Sequence, residues 1–234
     1  MRQTNMQQDT SMLYWFPKIA DILPVPKTEI LALKDEEVYE LIGLLDGNVI
    51  SEELFAKIKS GAAKIGYPLF LRSDMGSAKH DYEHSCHLEK EEAFLGNLAS
   101  LIEWHLMVDL WPQAIVFREL LSLYSDFKAF RGKLPIAKER RYFVDDGVVM
   151  CHHPYWPEGA IEQPLHEDWI TLLQDMNLES AEEISELTGI AEIFSAKVPG
   201  FFSVDFAMTD DGTWYLIDAA RGELSWHPEH KEES

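Results

Sequence analysis

The sequence predicts an α+β fold of two lobes built largely from antiparallel sheets. Three observations carry that expectation. Two Asp-Gly turns, Asp145-Asp146-Gly147 and Asp210-Asp211-Gly212, each lie between apolar runs in the second half, the strongest short-range signal for a hairpin. Apolar residues recur at helical spacing over 51–65 and 91–109 in the first half. No Gly-x-Gly-x-x-Gly follows the first strand, so a dinucleotide-binding Rossmann domain is not indicated. The 234 residues are 46% apolar, with 12 Phe, 8 Tyr and 7 Trp, enough to bury a sizeable core. The chain reads as one unit over 1–234, with a first lobe at 20–118, a second at 119–225, and loose tails at 1–11 and 227–234.

Residues 1–11 are polar and lack a signal-peptide core. Pro17, Pro24 and Pro26 punctuate the segment from Met12, and Leu23 to Leu31 reads as an extended connection entering a strand. Ser51 followed by Glu52 and Glu53 begins a helix, because a serine caps the free amides and acidic residues suit the positive end of the dipole. Its apolar positions are Leu54, Phe55, Ile58, Ala62 and Ile65, and Gly66 sits where a C-terminal cap belongs. Pro68 to Leu71 is a short strand running into the polar loop Arg72 to His80, and Ser85 to Leu88 forms a second strand. Glu91 to Asp109 is a helix with a stripe of Phe94, Leu95, Leu98, Leu101, Ile102 and Leu106, stopped by Pro112. Ala114 to Phe117 is a buried-type strand ending in Arg118-Glu119. Arg141 to Val144 and Val148 to Met150 form the first hairpin. Leu178 to Val198 is a helical region with a break expected near Thr188-Gly189. Phe201 to Phe206 and Thr213 to Asp218 form the last hairpin.

The charge is strongly acidic, with 41 Asp and Glu against 20 Lys and Arg and a formal net charge of −21. That balance repels nucleic-acid backbones and anionic membranes, so neither is expected as a partner. Two cysteines, Cys86 and Cys151, make no disulfide framework and suit a reducing compartment. No run approaches the roughly 18 apolar residues of a membrane span. A soluble, cytoplasmic protein is the expectation.

Four segments carry chemistry. Asp205 and Asp218 flank the last turn; paired across it, their carboxylates lie on one face and repel unless a cation sits between them. Magnesium takes oxygen ligands and keeps phosphate oxygens and waters as its others. In the loop after the Pro68–Leu71 strand, Arg72 and Lys79 offer the charge a triphosphate needs, while Gly76 and Ser77 allow backbone amides to cradle phosphate. Arg118, Glu119 and Leu120 end a buried strand where backbone groups can meet an adenine edge. In Glu139-Arg140-Arg141-Tyr142-Phe143, strand alternation puts Glu139, Arg141 and Phe143 on one face, with Arg141 placed to brace a γ-phosphate.

In this order, over about residues 20–225, the segments resemble the ATP-grasp superfamily. Its Glu-x-Arg-x-Phe-Val-x-Asp-Gly strand is matched by Glu139, Arg141, Phe143, Val144, Asp146 and Gly147. Its closing hairpin is matched by Asp205-Phe206, Asp211-Gly212 and Tyr215-Leu216-Ile217-Asp218. Pro24 to Thr28 resembles the start of the first lobe, and Leu71 to Asp74 resembles the loop of small members, including some akin to the cell-division-cycle-123 proteins. The resemblance implies ATP between two lobes, phosphates on Arg72, Ser77 and Lys79, adenine beside Arg118, Glu119 and Leu120, and transferred phosphate on Arg141. Asp205 and Asp218 would hold magnesium.

The implied activity is an ATP-dependent carboxylate–amine ligase working through an acylphosphate, on small-molecule or peptide carboxylate and amine substrates. The cell-division-cycle-123 likeness implies the alternative, an ATP-binding assembly chaperone or regulatory module with little turnover and a protein client. Ala220 stands where the family has Asn, which removes one metal ligand; either Glu223 or water substitutes, or only one ion binds well. Arg72 replaces the usual strand-end Lys, and the separate N-terminal domain is absent or shrunk to about 20 residues.

Among the remaining candidates, Cys151, His152, His153 and His166 match no common zinc spacing. His80, His84 and His87 read as surface groups, Cys86 as a small buried apolar residue, and Trp104 to Trp111 as helix core.

Overall fold

A computed structural model of the chain describes residues 9–130 and 133–228. The first element is one the prolines concealed. Helix α1 (Met12–Ile19) includes Pro17 and is capped by Ser11, whose Oγ accepts from the Leu13 amide at 3.1 Å. An interior proline costs about 3 kcal/mol. Burying Met12, Trp15 and Ile19 completely contributes roughly 2–3 kcal/mol each and outweighs it. The expected loose tail therefore ends before Ser11, which is buried and donates to Asp74 Oδ2 at 2.5 Å. Residues 1–8 of that tail lie outside the described residues.

After the extended Pro24–Pro26 connection come β1 (Thr28–Ala32), α2 (Asp35–Ile42), α3 (Glu52–Ile65), β2 (Leu69–Ser73), β3 (His87–Leu88), α4 (Phe94–Met107) and β4 (Ala114–Glu119). The expected strand from Ser85 is only these two residues of β3, because the Ser85 hydroxyl turns back to the Ala78 and Asp81 carbonyls at 2.7 Å. The strands form an antiparallel sheet in the order β1-β4-β2-β3. Helices α2, α3 and α4 share a core with it through Leu54, Ile58, Leu71, Leu98, Leu101 and Phe117. Gly61 lies inside α3 because a Cβ there would come within 2.7 Å of the Phe117 ring. The stripe expected on α4 is corrected at its margins. Leu95 and Leu106 are exposed, while Asn97 and His105 are buried.

The second half begins with a small ribbon, β5 (Phe127–Ala129) and β6 (Leu134–Ile136). It continues through β7 (Glu139–Asp145), β8 (Val148–Pro154), α5 (Trp169–Met176), α6 (Ala181–Lys197), β9 (Phe202–Met208) and β10 (Trp214–Arg221). The sheet order is β10-β9-β7-β8, again antiparallel. Asp146 and Gly147 both have positive φ, 40° and 94°, as a two-residue type I′ hairpin requires. The break expected near Thr188-Gly189 is absent. Helix α6 runs unbroken for 17 residues from its Ser180 cap, because Leu187, Ala191 and Phe194 pack continuously against Tyr142, Val204 and Phe206 on one face of the sheet. Helix α1 joins that same core. The opposite face of the sheet, carrying Glu139, Arg141, Asp205 and Asp218, meets the first sheet.

The end of the chain folds back instead of fraying at His227. The Gly222 amide bonds the Phe201 carbonyl at 3.0 Å, Ser225 bonds Ser203 at 2.6 Å, and the His227 ring lies 4.7 Å from that of Phe143. Residues 229–234 lie outside the described residues. Among the described residues no helix is long and apolar enough to cross a membrane.

Candidate functional site

The site is built on one irregularity. Along β9 and β10, Trp214 pairs with Met208 and Leu216 with Phe206. Past Ile217 the register slips by one, so that Asp218 pairs with Asp205. Without that β-bulge Asp205 would face Ile217, and Asp218 would point into the opposite, apolar core. Asp205 is in turn the register partner of Arg141, and Arg141 of His153. One row across four strands thus reads His153, Arg141, Asp205, Asp218.

Arg141 grips Asp205 with two bonds of 2.7 Å, Nε to Oδ1 and Nη2 to Oδ2. Its Nη1 donates to the Trp226 carbonyl at 3.2 Å. Burial by itself would lower the Arg141 pKa, but the Asp205 carboxylate overrides it and holds the guanidinium firmly charged. Asp218, about a third exposed, receives Arg72 Nη1 from the first sheet at 3.0 Å, and its Oδ1 also accepts from the Ala219 amide at 3.0 Å.

Three cations of the first lobe reach the second. Arg72 is one. Arg118 is the next: it is 4% exposed, its Nε donates to Thr28 Oγ1 at 3.2 Å, its Nη1 donates to the Ile217 carbonyl, and its Nη2 is buried without a hydrogen-bond partner. Burial and the neighbouring Arg72 pull its pKa down to about 9. Lys79 is the third. It lies 3.8 Å from Glu139 Oε2 and over the rings of Tyr155 and Trp156, at 4.0 and 4.4 Å. Burial opposes its charge, but Glu139, Tyr155 and Asp205 raise its pKa beyond the ordinary lysine value. Glu139 accepts from Trp156 Nε1 at 3.1 Å, while its Oε2 is buried and has no hydrogen-bond partner. Burial raises the Glu139 pKa.

These groups surround one cavity of about 330 Å³, at the lower end of the range for small-molecule sites. Arg72, Ser77, Lys79, Arg118, Glu119, Leu120, Asp205 and Asp218, all singled out from the sequence, line it. Arg141 does not line it; it stands behind Asp205 and Tyr155. Leu121, Leu123, Leu134 and Pro135 give the cavity an apolar end, and Arg72, Asp205 and Asp218 a charged one.

In the loop after β2, part of the expected amide cradle is engaged within the protein. The Met75 and Gly76 amides bond Ser73 Oγ at 3.0 and 3.2 Å, and the Asp74 amide bonds the Ala114 carbonyl at 3.2 Å. Those three donors are therefore satisfied within the protein, while Gly76, Ser77 and Lys79 line the cavity. Gly76 makes room for Trp104, which a Cβ would approach to 3.1 Å; Trp104 borders the cavity as well as the helix core.

Tyr155 and Trp156 were missed from the sequence because they follow β8 outside any motif. Glu139 was legible, since it shares strand parity with Arg141. Glu223 pairs with Arg221 at 2.8 Å and is not a wall of the cavity. Cys151 Sγ lies 3.0 Å from His227 Nε2, and His152 lies 3.0 Å from Glu179.

Among the described residues no three His, Cys, Asp or Glu side chains converge as a metal cage. The donor set at the charged end is two carboxylates on one strand pair, with Ala220 next on that face opposite Ser203. Two carboxylates fit a magnesium ion that shares phosphate oxygens and water, and do not fit an all-protein cage.

The model for the ATP-grasp domain, R2K clade family 3, matches residues 61–234. Among solved structures, the fold is similar to Cdc123 from Schizosaccharomyces pombe, at a TM-score of 0.59 and 13% identity, covering 94% of this chain and 87% of that one. It is also similar to the D-alanine–D-alanine ligase from Bacillus anthracis complexed with ATP, at a TM-score of 0.50 and 11% identity. That match covers 92% of this chain and 55% of the ligase, so the chain spans about half the ligase's length. No curated protein matches the sequence. At such identities these likenesses establish the fold.

Proposed function

The chain belongs to the ATP-grasp domain, R2K clade family 3, and from that premise we propose that it binds ATP with magnesium in the 330 Å³ cavity and joins a carboxylate to an amine through an acylphosphate. The observation that carries the nucleotide reading is Arg118. Arg118 lines the cavity; its guanidinium is buried with neutral hydrogen-bond partners, a second arginine beside it and an unpaired Nη2. Asp218 and Glu119 compensate its charge only in part, and an anion in the cavity completes that compensation.

In this reading the apolar end, Leu120 to Leu123 with Leu134 and Pro135, takes the base. Glu139 Oε2 accepts a hydrogen bond from the nucleotide. Arg72, Lys79 and Arg118 bind the polyphosphate, and Asp205 and Asp218 hold magnesium. ATP supplies a phosphoryl group that makes a carboxylate oxygen a leaving group. Arg141 fixes Asp205 in its rotamer and keeps positive charge behind the transferred phosphoryl.

A second reading is an ATP-binding assembly or regulatory module with a protein client and little turnover. It is supported by Ala220, which leaves two carboxylates where a third metal ligand is expected, and by the similarity in fold to Cdc123.

Hydroxylamine separates the two. With ATP, magnesium, a panel of amino acids and short peptides as carboxylates, and hydroxylamine as the amine, the ligase reading gives ADP release together with a hydroxamate. Tight ATP binding with neither product favours the regulatory reading.

A further inference from the structure

Two cations of the site pack against one aromatic ring. Lys79 Nζ lies 4.0 Å from the centroid of Tyr155, and Arg141 Cζ lies 4.7 Å from the same centroid. The Tyr155 ring lines the cavity. Its backbone amide donates to the Glu139 carbonyl at 3.1 Å, and Trp156 packs edge-on against it at 5.1 Å, so the ring is anchored to the start of β7.

The two cations are held in unlike ways. Arg141 is closed on Asp205 by its pair of 2.7 Å bonds. Lys79 is not closed on Glu139. Their 3.8 Å separation is beyond hydrogen-bond distance, and Glu139 Oε2 stays without a hydrogen-bond partner, although a half-buried ammonium and a buried carboxylate gain from direct contact. Glu139 attracts the ammonium from 3.8 Å, and two rings hold it in place, Tyr155 at 4.0 Å and Trp156 at 4.4 Å, with the Tyr155 hydroxyl interacting with it as well.

We propose that Tyr155 is a positioning residue for the polyphosphate, its ring holding Lys79 off Glu139 and beside Arg141 so that the ammonium stays available to the cavity. This rests on the nucleotide reading above. With the ring removed, Lys79 closes on Glu139 and withdraws. Polyphosphate binding weakens, while the base-binding end is left as it was. A ring without the hydroxyl keeps the cation–π contact that holds Lys79 off Glu139 and gives up only the hydroxyl's own interaction with the ammonium.

The test is calorimetric titration of the full chain with Mg-ATP and, separately, with AMP, for the wild type, Tyr155→Phe and Tyr155→Leu. Tyr155→Leu is expected to lose about tenfold in Mg-ATP affinity and to change AMP affinity by less than about threefold; Tyr155→Phe stays within about threefold for both. Should Tyr155→Leu not fold, Tyr155→Met fills the volume without a π face and carries the same expectation. Unchanged Mg-ATP affinity in the ring-less variant, or equal weakening of Mg-ATP and AMP, overturns the assignment and leaves the nucleotide reading standing. A wild type that binds no Mg-ATP overturns that reading and this assignment with it.

Discussion

Arg118 donates a hydrogen bond to the backbone carbonyl of Ile217, the residue that a β-bulge leaves out of register between β9 and β10. That bulge puts Asp205 and Asp218 on the same face. A side chain from the first sheet therefore secures the distortion that assembles the acidic pair of the second. Arg72 repeats the connection one step on, at Asp218 itself.

Replacing Arg118 by Met removes the partner of the Ile217 carbonyl. A fully buried carbonyl left unpaired costs about 1–3 kcal/mol; this one is part-buried, and the loss is further offset because the buried charge goes too. The expected result in urea denaturation is a loss of roughly 1 kcal/mol, with weaker Mg-ATP binding. A variant that binds Mg-ATP as tightly as the wild type would show that the guanidinium has no part in the site.

Arg141→Lys keeps a positive charge and loses the fork. The two parallel bonds to Asp205 reduce to one at best, and the bond to the Trp226 carbonyl is lost. A bidentate pair cannot be replaced by a point charge, so a destabilisation of about 1–2 kcal/mol is expected. Near-UV circular dichroism should change as well, since Trp226 loses its tether. Wild-type stability in this variant would mean that the pair is not formed in solution.

His105 is fully buried, and neither ring nitrogen has a hydrogen-bond partner. Burial, helped by the charge of Arg72, lowers its pKa from 6.5 to about 4. The folded state therefore refuses a proton that the unfolded chain takes up. Stability from this source is complete above about pH 6.5 and is lost as the pH falls toward about 4, with a total of roughly 3–3.5 kcal/mol. His105→Leu should flatten that stretch of the pH–stability curve and raise stability at pH 5 more than at pH 7.5. An unchanged slope in the variant would assign the acid sensitivity to other groups.

The sequence made the pairing of Asp205 with Asp218 legible because the Asp-Gly turn sets the hairpin, yet it concealed the bulge, which has no Gly or Pro to announce it. Glu139 and Arg141 were legible through strand parity alone. Helix α1 was concealed by Pro17, since tertiary burial of Trp15 and its neighbours overrode local propensity. In the loop after β2, Ser73 Oγ takes the Met75 and Gly76 amides, a competition within the loop that its Gly-Ser composition does not announce. Tyr155 was invisible for a different reason: its role depends on Lys79 and Arg141 arriving from other elements, and nothing local encodes that meeting.

Everything rests on the cavity taking Mg-ATP through Asp218 and its cationic neighbours. Calorimetric titration of ATP into the wild type and Asp218→Asn, each with magnesium and with EDTA, tests this most directly. The account predicts saturable binding by the wild type in magnesium, at least about tenfold weaker in EDTA, and an Asp218→Asn variant whose affinity no longer responds to magnesium. No heat at millimolar ATP, or a variant as magnesium-dependent as the wild type, would contradict it.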